Sequence, residues 1–246
     1  MSIAAIQPTP NAMGAVSNNE TPSFQKILEQ LLLINLSGDN SYFFRVGDQI
    51  QQLLQELGTF ASTLPPKEGE ELQELLKQAP TDTDPMTYST NIRSFLGVIT
   101  GFIAGIMPNG LSPEDKLHLQ ILLAKHPTDP NNKYYNLEVT EWTARIGSFL
   151  ASHLFKESSS ELEHIMEKMP NDPQSKDYPE EVIKFMAILQ VYVTENLPDK
   201  ISPTQKDHLD QLEEQMRNIS PEDPRGPTLL SILDAELQEE ISKIFF

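Results

Sequence analysis

From Thr21 onward, apolar side chains recur at steps of three and four, the period of helices buried along one side. The clearest stretch runs from Tyr88 to Pro130. Ile92, Phe95, Leu96, Ile99, Phe102, Ile103, Ile106 and Met107 fall on one helical face, and Asn109-Gly110 supplies a stop and a turn. Ser112-Pro113-Glu114-Asp115 restarts the chain: Ser112 suits an N-cap, Pro113 a first turn, and Asp115 puts a carboxylate near the positive end of the helix dipole. Leu119, Leu122 and Leu123 form the inward face of this second helix, and His126-Pro127-Thr128-Asp129-Pro130 ends it, since proline has no N–H to continue the ladder.

The same plan recurs on both sides. Tyr42, Tyr88, Tyr135 and Tyr178 are spaced by 46, 47 and 43 residues. Seven residues after each of the last three comes an aromatic: Phe95, Trp142, Phe185. Ile99, Ile146 and Leu189 follow at eleven, Phe102, Phe149 and Tyr192 at fourteen, and Ile103, Leu150 and Val193 at fifteen. The first copy fits through Ile50, Leu54 and Leu57 with a shift of one. The second helices open alike, at Ser112-Pro113, at Ser158 with Glu161, and at Ser202-Pro203 with Gln205; the last two have capping-box spacing. Asp84-Pro85, Asp129-Pro130, Asp172-Pro173 and Asp223-Pro224 mark the exits. Several such series in parallel predict an all-α chain of tandem helical-hairpin repeats of about 43–47 residues, stacked as a short α-solenoid or folded as a compact helical bundle with capping helices.

The organisation predicted is a disordered polar leader over 1–20, then one all-helical domain over 21–246. Within it come a cap helix over 21–37, repeats near 41–85, 86–130, 131–173 and 174–224, and a terminal helix over 226–246. In the first repeat the long helix is expected to end at Pro65-Pro66, and in the fourth Asp177, Pro179 and Glu180 read as a helix start. Trp142, the only tryptophan, falls on the repeat's own aromatic position and reads as core, and Tyr134-Tyr135 as partly exposed. The closing Ile244-Phe245-Phe246 reads as the buried last contact of the array.

One segment departs from the plan. Between Phe95 and Met107, Gly97, Gly101 and Gly105 form a stripe at steps of four. Each helical glycine costs about 1 kcal/mol relative to alanine, so three of them need compensation. Close approach of another helix supplies it, and predicts that 95–107 is the most buried helix in the chain. The alternatives are a membrane-active segment or a self-association seam; the uncharged run is shorter than the roughly 20 residues a span needs.

Charge narrows the partners. With 36 acidic and 18 basic residues the formal net charge is −18, which disfavours nucleic acid and anionic membrane surfaces and suits a partner with a basic face. With no cysteine, disulfides, thiol chemistry and cysteine-held metals are excluded. The five histidines, His118, His126, His153, His164 and His208, include no pair at metal-binding helical spacing, and P-loop, dinucleotide-binding and serine-hydrolase motifs are all missing. No catalytic, cofactor-binding or metal residue is therefore assigned. The reading is a non-enzymatic protein–protein interaction module, an adaptor, chaperone-like protein or secreted bacterial effector that uses an acidic helical surface. Its compartment is read as the cytoplasm, or as outside a bacterium after export without a cleaved signal; the polar start is compatible with a type III signal. The alternatives are the membrane-active or self-associating glycine-striped helix, and an enzyme whose site is assembled from unrecognised carboxylates.

Overall fold

The computed structural model describes residues 24–37, 47–107, 111–154, 159–172, 174–197, 201–220 and 222–245, and every regular element among them is an α-helix. In chain order these are α1 (Phe24–Asn35), α2 (Gly47–Ala61), α3 (Pro66–Leu76), α4 (Pro85–Gly105), α5 (Pro113–Ala124), α6 (Tyr135–Leu154), α7 (Ser159–Met166), α8 (Tyr178–Asn196), α9 (Pro203–Arg217) and α10 (Gly226–Phe245). The expectations placed on residues 1–20, Tyr42, Asn109-Gly110, Ser158 and Phe246 lie outside the described residues.

Local sequence sets most helix starts. Asp84 caps α4, its carboxylate accepting from Thr87 N at 2.9 Å with Pro85 in the first turn. Ser112 caps α5, accepting from Asp115 N at 3.1 Å. Ser202 and Gln205 close a full capping box at α9: Gln205 N donates to Ser202 Oγ (3.3 Å) and Ser202 N to Gln205 Oε1 (2.9 Å). Two expectations shift. Pro65-Pro66 begins α3 rather than ending α2, which already stops at Ala61, because a proline at the first helical position loses no hydrogen bond. Asp84-Pro85 likewise opens α4 instead of closing what precedes it. At α8 the helix does start at Tyr178-Pro179, but Asp177 makes no side-chain cap bond.

Successive helices pack as neighbours: α2 with α3, α4 with α5, α6 with α7, α8 with α9. Each short helix also touches the next long one, and α4, α6, α8 and α10 pack in series. The result is a compact helical bundle. Its centre is α1. This helix was expected as a cap at one end, yet it packs against α2, α4, α6 and α8. Nine of its twelve residues are buried, whereas seven of the thirteen residues over 95–107 are, so α1 and not the glycine-striped segment is the most buried helix. The reason lies in its composition: Ile27, Leu28, Leu31, Leu32, Leu33 and Ile34 give it a wide apolar face that α2, α4, α6 and α8 cover between them, and Glu29 and Gln30 are buried with it.

A helix end buried in this way must still satisfy its last carbonyls. Leu36 N bonds back to Leu32 O and Leu33 O, and Ser37 N and Oγ both donate to Ile34 O. Arg93 of α4, fully buried, donates from Nη2 to Ser37 O (2.6 Å) and Ser37 Oγ (3.2 Å), a cation at the negative end of a helix dipole. Gln190 of α8 donates to Leu33 O at 3.4 Å and exchanges two amide hydrogen bonds with Gln238 of α10 (3.0 and 2.6 Å). Asn35 donates to Leu31 O and to Thr100 Oγ1 of α4.

Candidate functional site

The glycine stripe is occupied from within the chain. A Cβ on Gly97 would collide with the ring of Trp142 on α6 and lie 2.9 Å from Thr143 Cγ2. One on Gly101 would lie 2.5 Å from Leu123 Cδ2 of α5, while Gly105 has only Leu119 Cδ2, at 3.9 Å. Trp142 is 4 % exposed and donates its indole N–H to Leu122 O at 2.9 Å, so it is core, and Tyr134 and Tyr135 are half-exposed as expected. No described helix is long and apolar enough to cross a membrane.

The histidines scatter. His126 lies edge-on to Trp142 (centroids 4.7 Å apart) with Nε2 at 2.5 Å from Ser94 Oγ; burial pushes its imidazole below the usual histidine range. His118 and His153 share a cleft of about 360 Å³ between α5, α6 and α7, with Asp115, Arg145, Ser152 and Glu163 on its walls. Here His153 Nδ1 lies 2.8 Å from Phe149 O and Nε2 3.4 Å from Asp115 Oδ2. A carbonyl only accepts, so the proton sits on Nδ1. Ser152 directs its own hydroxyl at the same carbonyl (2.8 Å). Nε2 thus faces the carboxylate and not the serine, so Ser152, His153 and Asp115 are not arranged as a nucleophile–base relay. The Ser112 hydroxyl bond, followed by His153, holds the Asp115 carboxyl below the usual range. Among the described residues no group of three or more His, Asp or Glu side chains is placed to hold a metal ion.

A groove of about 520 Å³ runs along α3. Lys67, Glu70, Glu71, Glu74, Leu75 and Gln78 line it, positions three and four apart that place one stripe of α3 toward α4, and Phe102 of α4 forms the opposite wall. Leu75 and Phe102 are half-buried and provide an apolar floor, while Glu70, Glu71 and Glu74 are exposed along the rim. Three carboxylates line the rim with Lys67, and Glu74 pairs with Lys77 just beside it, which leaves the rim a net negative charge. Gly69 seats the opposite side of α3. A Cβ there would lie 2.5 Å from Ala61 O, so only glycine lets α3 seat against the end of α2.

Sequence periodicity pointed to the apolar face of α4, including Phe102, and to an acidic surface; it did not single out α3, Gly69 or Arg93. A glycine at a buried position of a short acidic helix, and an arginine inside an apolar stripe between Ile92 and Leu96, were the available signals. Outside the groove, Leu117 and Ile121 stand exposed one turn apart on α5, so that helix is apolar on both faces. Comparison of the chain with protein-family models, with curated proteins and with solved structures gives no match.

Proposed function

We propose that the chain is a non-enzymatic protein-interaction module that docks a basic, amphipathic helical segment in the groove between α3 and α4. The observation that carries the reading is the pairing of an apolar floor, Leu75 and Phe102, with a rim of Glu70, Glu71 and Glu74. An amphipathic helix lays its apolar face into such a floor, and lysines or arginines flanking that face meet the carboxylates. The formal net charge of −18 favours encounter with a basic partner over long range.

The proposed architecture behind this surface is a repeated hairpin. Its support is positional. Ile99, Ile146 and Leu189, and again Ile103, Leu150 and Val193, are each fully buried, as equivalent positions of one unit should be. Asp129, Asp172 and Asp223 accept from the backbone N–H two residues on, at 3.0, 3.1 and 2.9 Å, forming the same Asx turn ahead of α6, α8 and α10. In a repeated unit, equivalent outer helices diverge for binding while inner positions stay apolar.

The test uses a fluorescent Leu/Lys amphipathic helical peptide, followed by anisotropy at two salt concentrations. Glu70→Gln, Glu71→Gln and Glu74→Gln together should weaken binding about tenfold, as expected for three surface charge contacts. A control variant removes three exposed acids elsewhere, Asp207→Asn, Glu214→Gln and Glu222→Gln, and should bind as the parent does. Equal losses in both variants would reduce the interaction to net-charge attraction and remove the groove from the argument.

A further inference from the structure

The groove on α3 has a counterpart 47 residues further along the chain. At that interval α3 opens on Pro66 and α5 on Pro113, and Leu72 and Leu119 are both buried. The floor of the α3 groove, Leu75 and Phe102, maps by the same step onto Leu122 and Phe149, which line the cleft between α5, α6 and α7. Each hollow thus lies beside a short helix and ends on a phenylalanine of the long helix that follows. What changes is the rim: Glu70, Glu71 and Glu74 give way to Leu117, His118 and Ile121. Leu117 is 58 % exposed and Ile121 46 %, two of the few large apolar side chains left open among the described residues. Inside the cleft Leu162 and Met166 of α7 extend the apolar wall. Its ionic groups are largely engaged already, Arg145 with Glu141 at 2.7 Å and His153 facing Asp115 at 3.4 Å, and Glu163 stands exposed at the edge.

We infer that the hollow at Phe149, with the crest of Leu117 and Ile121, is a second docking position for the partner of the α3 groove, and that this partner is a helical hairpin. The inference rests on the reading of α3 given above. One helix of the hairpin, basic, lies over α3; the other, apolar-faced and uncharged, lies over α5. Spacing is the first reason. α4 and α6 pack side by side, with Gly97 against Trp142 and Thr143, so the two hollows are set about one helix-packing distance apart, roughly 8–10 Å. Two packed helices of a partner have that same separation. Chemistry is the second. The α3 rim calls for lysine or arginine, whereas Leu117 and Ile121 are covered by leucine, methionine or phenylalanine.

The experiment uses the full chain and two fluorescent peptides, the Leu/Lys helix of the preceding test and a hairpin that joins to it a second helix with a leucine face and no lysine. Anisotropy should show the hairpin binding about tenfold more tightly than the single helix. Leu117→Glu with Ile121→Glu, which writes the α3 rim pattern onto α5, should abolish that gain, the loss expected when two apolar anchors leave an interface. Single-helix binding should stay as in the parent. Both side chains are exposed, so the fold should persist, which circular dichroism checks. The double variant is also more acidic than the parent, so a weaker complex cannot come from reduced long-range attraction to a basic peptide. Equal affinity of the two peptides for the parent, or a gain that survives Leu117→Glu with Ile121→Glu, overturns the second position and leaves the α3 groove standing. A single helix that fails to bind overturns the α3 reading, and this inference with it.

Discussion

The same substitution, glycine to alanine, should have opposite effects at two helical positions. At Gly58 of α2 nothing lies within 4 Å of the new methyl, so only the helix-propensity gain of about 1 kcal/mol remains, and Gly58→Ala should stabilise. At Gly97 the same gain meets Trp142, whose ring occupies the site of the new methyl. That ring cannot swing away. It is 4 % exposed, tied by its N–H to Leu122 O at 2.9 Å and held on its flank by His126. Overpacking a fixed core costs roughly 1–3 kcal/mol, so against that gain the net effect of Gly97→Ala should be a loss of up to about 2 kcal/mol. Gly101→Ala should fall between, because its obstacle is the end of the Leu123 side chain, which can turn. Gly105→Ala should cost nothing. Urea unfolding, followed by Trp142 fluorescence and by circular dichroism in parallel, measures the series. A Gly97→Ala protein as stable as Gly58→Ala would show that α4 and α6 do not approach at this stripe, and the packing argument would fall with it.

Arg93→Met keeps the length of the side chain and removes the donors to Ser37, so it should cost about 1–3 kcal/mol in urea, the cost of orphaning a buried carbonyl. Tyr178 is buried and donates to Glu141 Oε2 at 3.0 Å; burial first, and the Glu141 charge second, raise its phenol well above the usual range. A raised folded value makes its contribution complete below the unfolded value of about 10 and lost as the pH climbs toward the folded one, so Tyr178→Phe should flatten the fall in stability across pH 10–12. His126 is the converse. Its folded value is lowered by burial, so the unfolded chain takes up the proton first, and stability is complete above about pH 6.5 and declines on acidification. Urea midpoints between pH 7 and 5 should decline less steeply in His126→Gln; an unchanged slope would place the acid sensitivity elsewhere.

Helix identity was legible because it rests on local signals. The spacing of Ile92, Leu96, Ile99 and Ile103, the Ser112 cap and the Ser202–Gln205 box each act within one or two turns, and each is realised as read. What was not legible was the partner of each face. The apolar face of α1 announced burial but not its place, since the same face would suit a helix closing one end of the domain. The stripe of glycines announced a close neighbour and left it unnamed; Trp142 on α6 supplies it from 45 residues away. Arg93 was hidden for a related reason. An arginine in an apolar face normally extends to solvent, and only the carbonyl end of α1, reached through the fold, makes its burial acceptable.

The position of α1 also decides where recognition can occur. The interior of the bundle is filled by a helix of the same chain. On the proposed function, recognition falls to the outer helices, and acid lies there: Glu70, Glu71 and Glu74 on α3, Glu161 and Glu163 on α7, and Asp207, Asp210 and Glu214 on α9 are all exposed. Charge on three outer helices, each solvated and screened within about 10 Å at 0.1 M ionic strength, burdens the core little. Of these three helices, α3 combines its acids with an apolar floor, because Gly69 lets it seat on α2 while Phe102 rises beside it from α4. The proposed binding through α3 and the seating of α1 are therefore separable: Glu70, Glu71 and Glu74 variants should leave α1 in place, and Arg93 and Gln190 variants should leave the acidic rim intact.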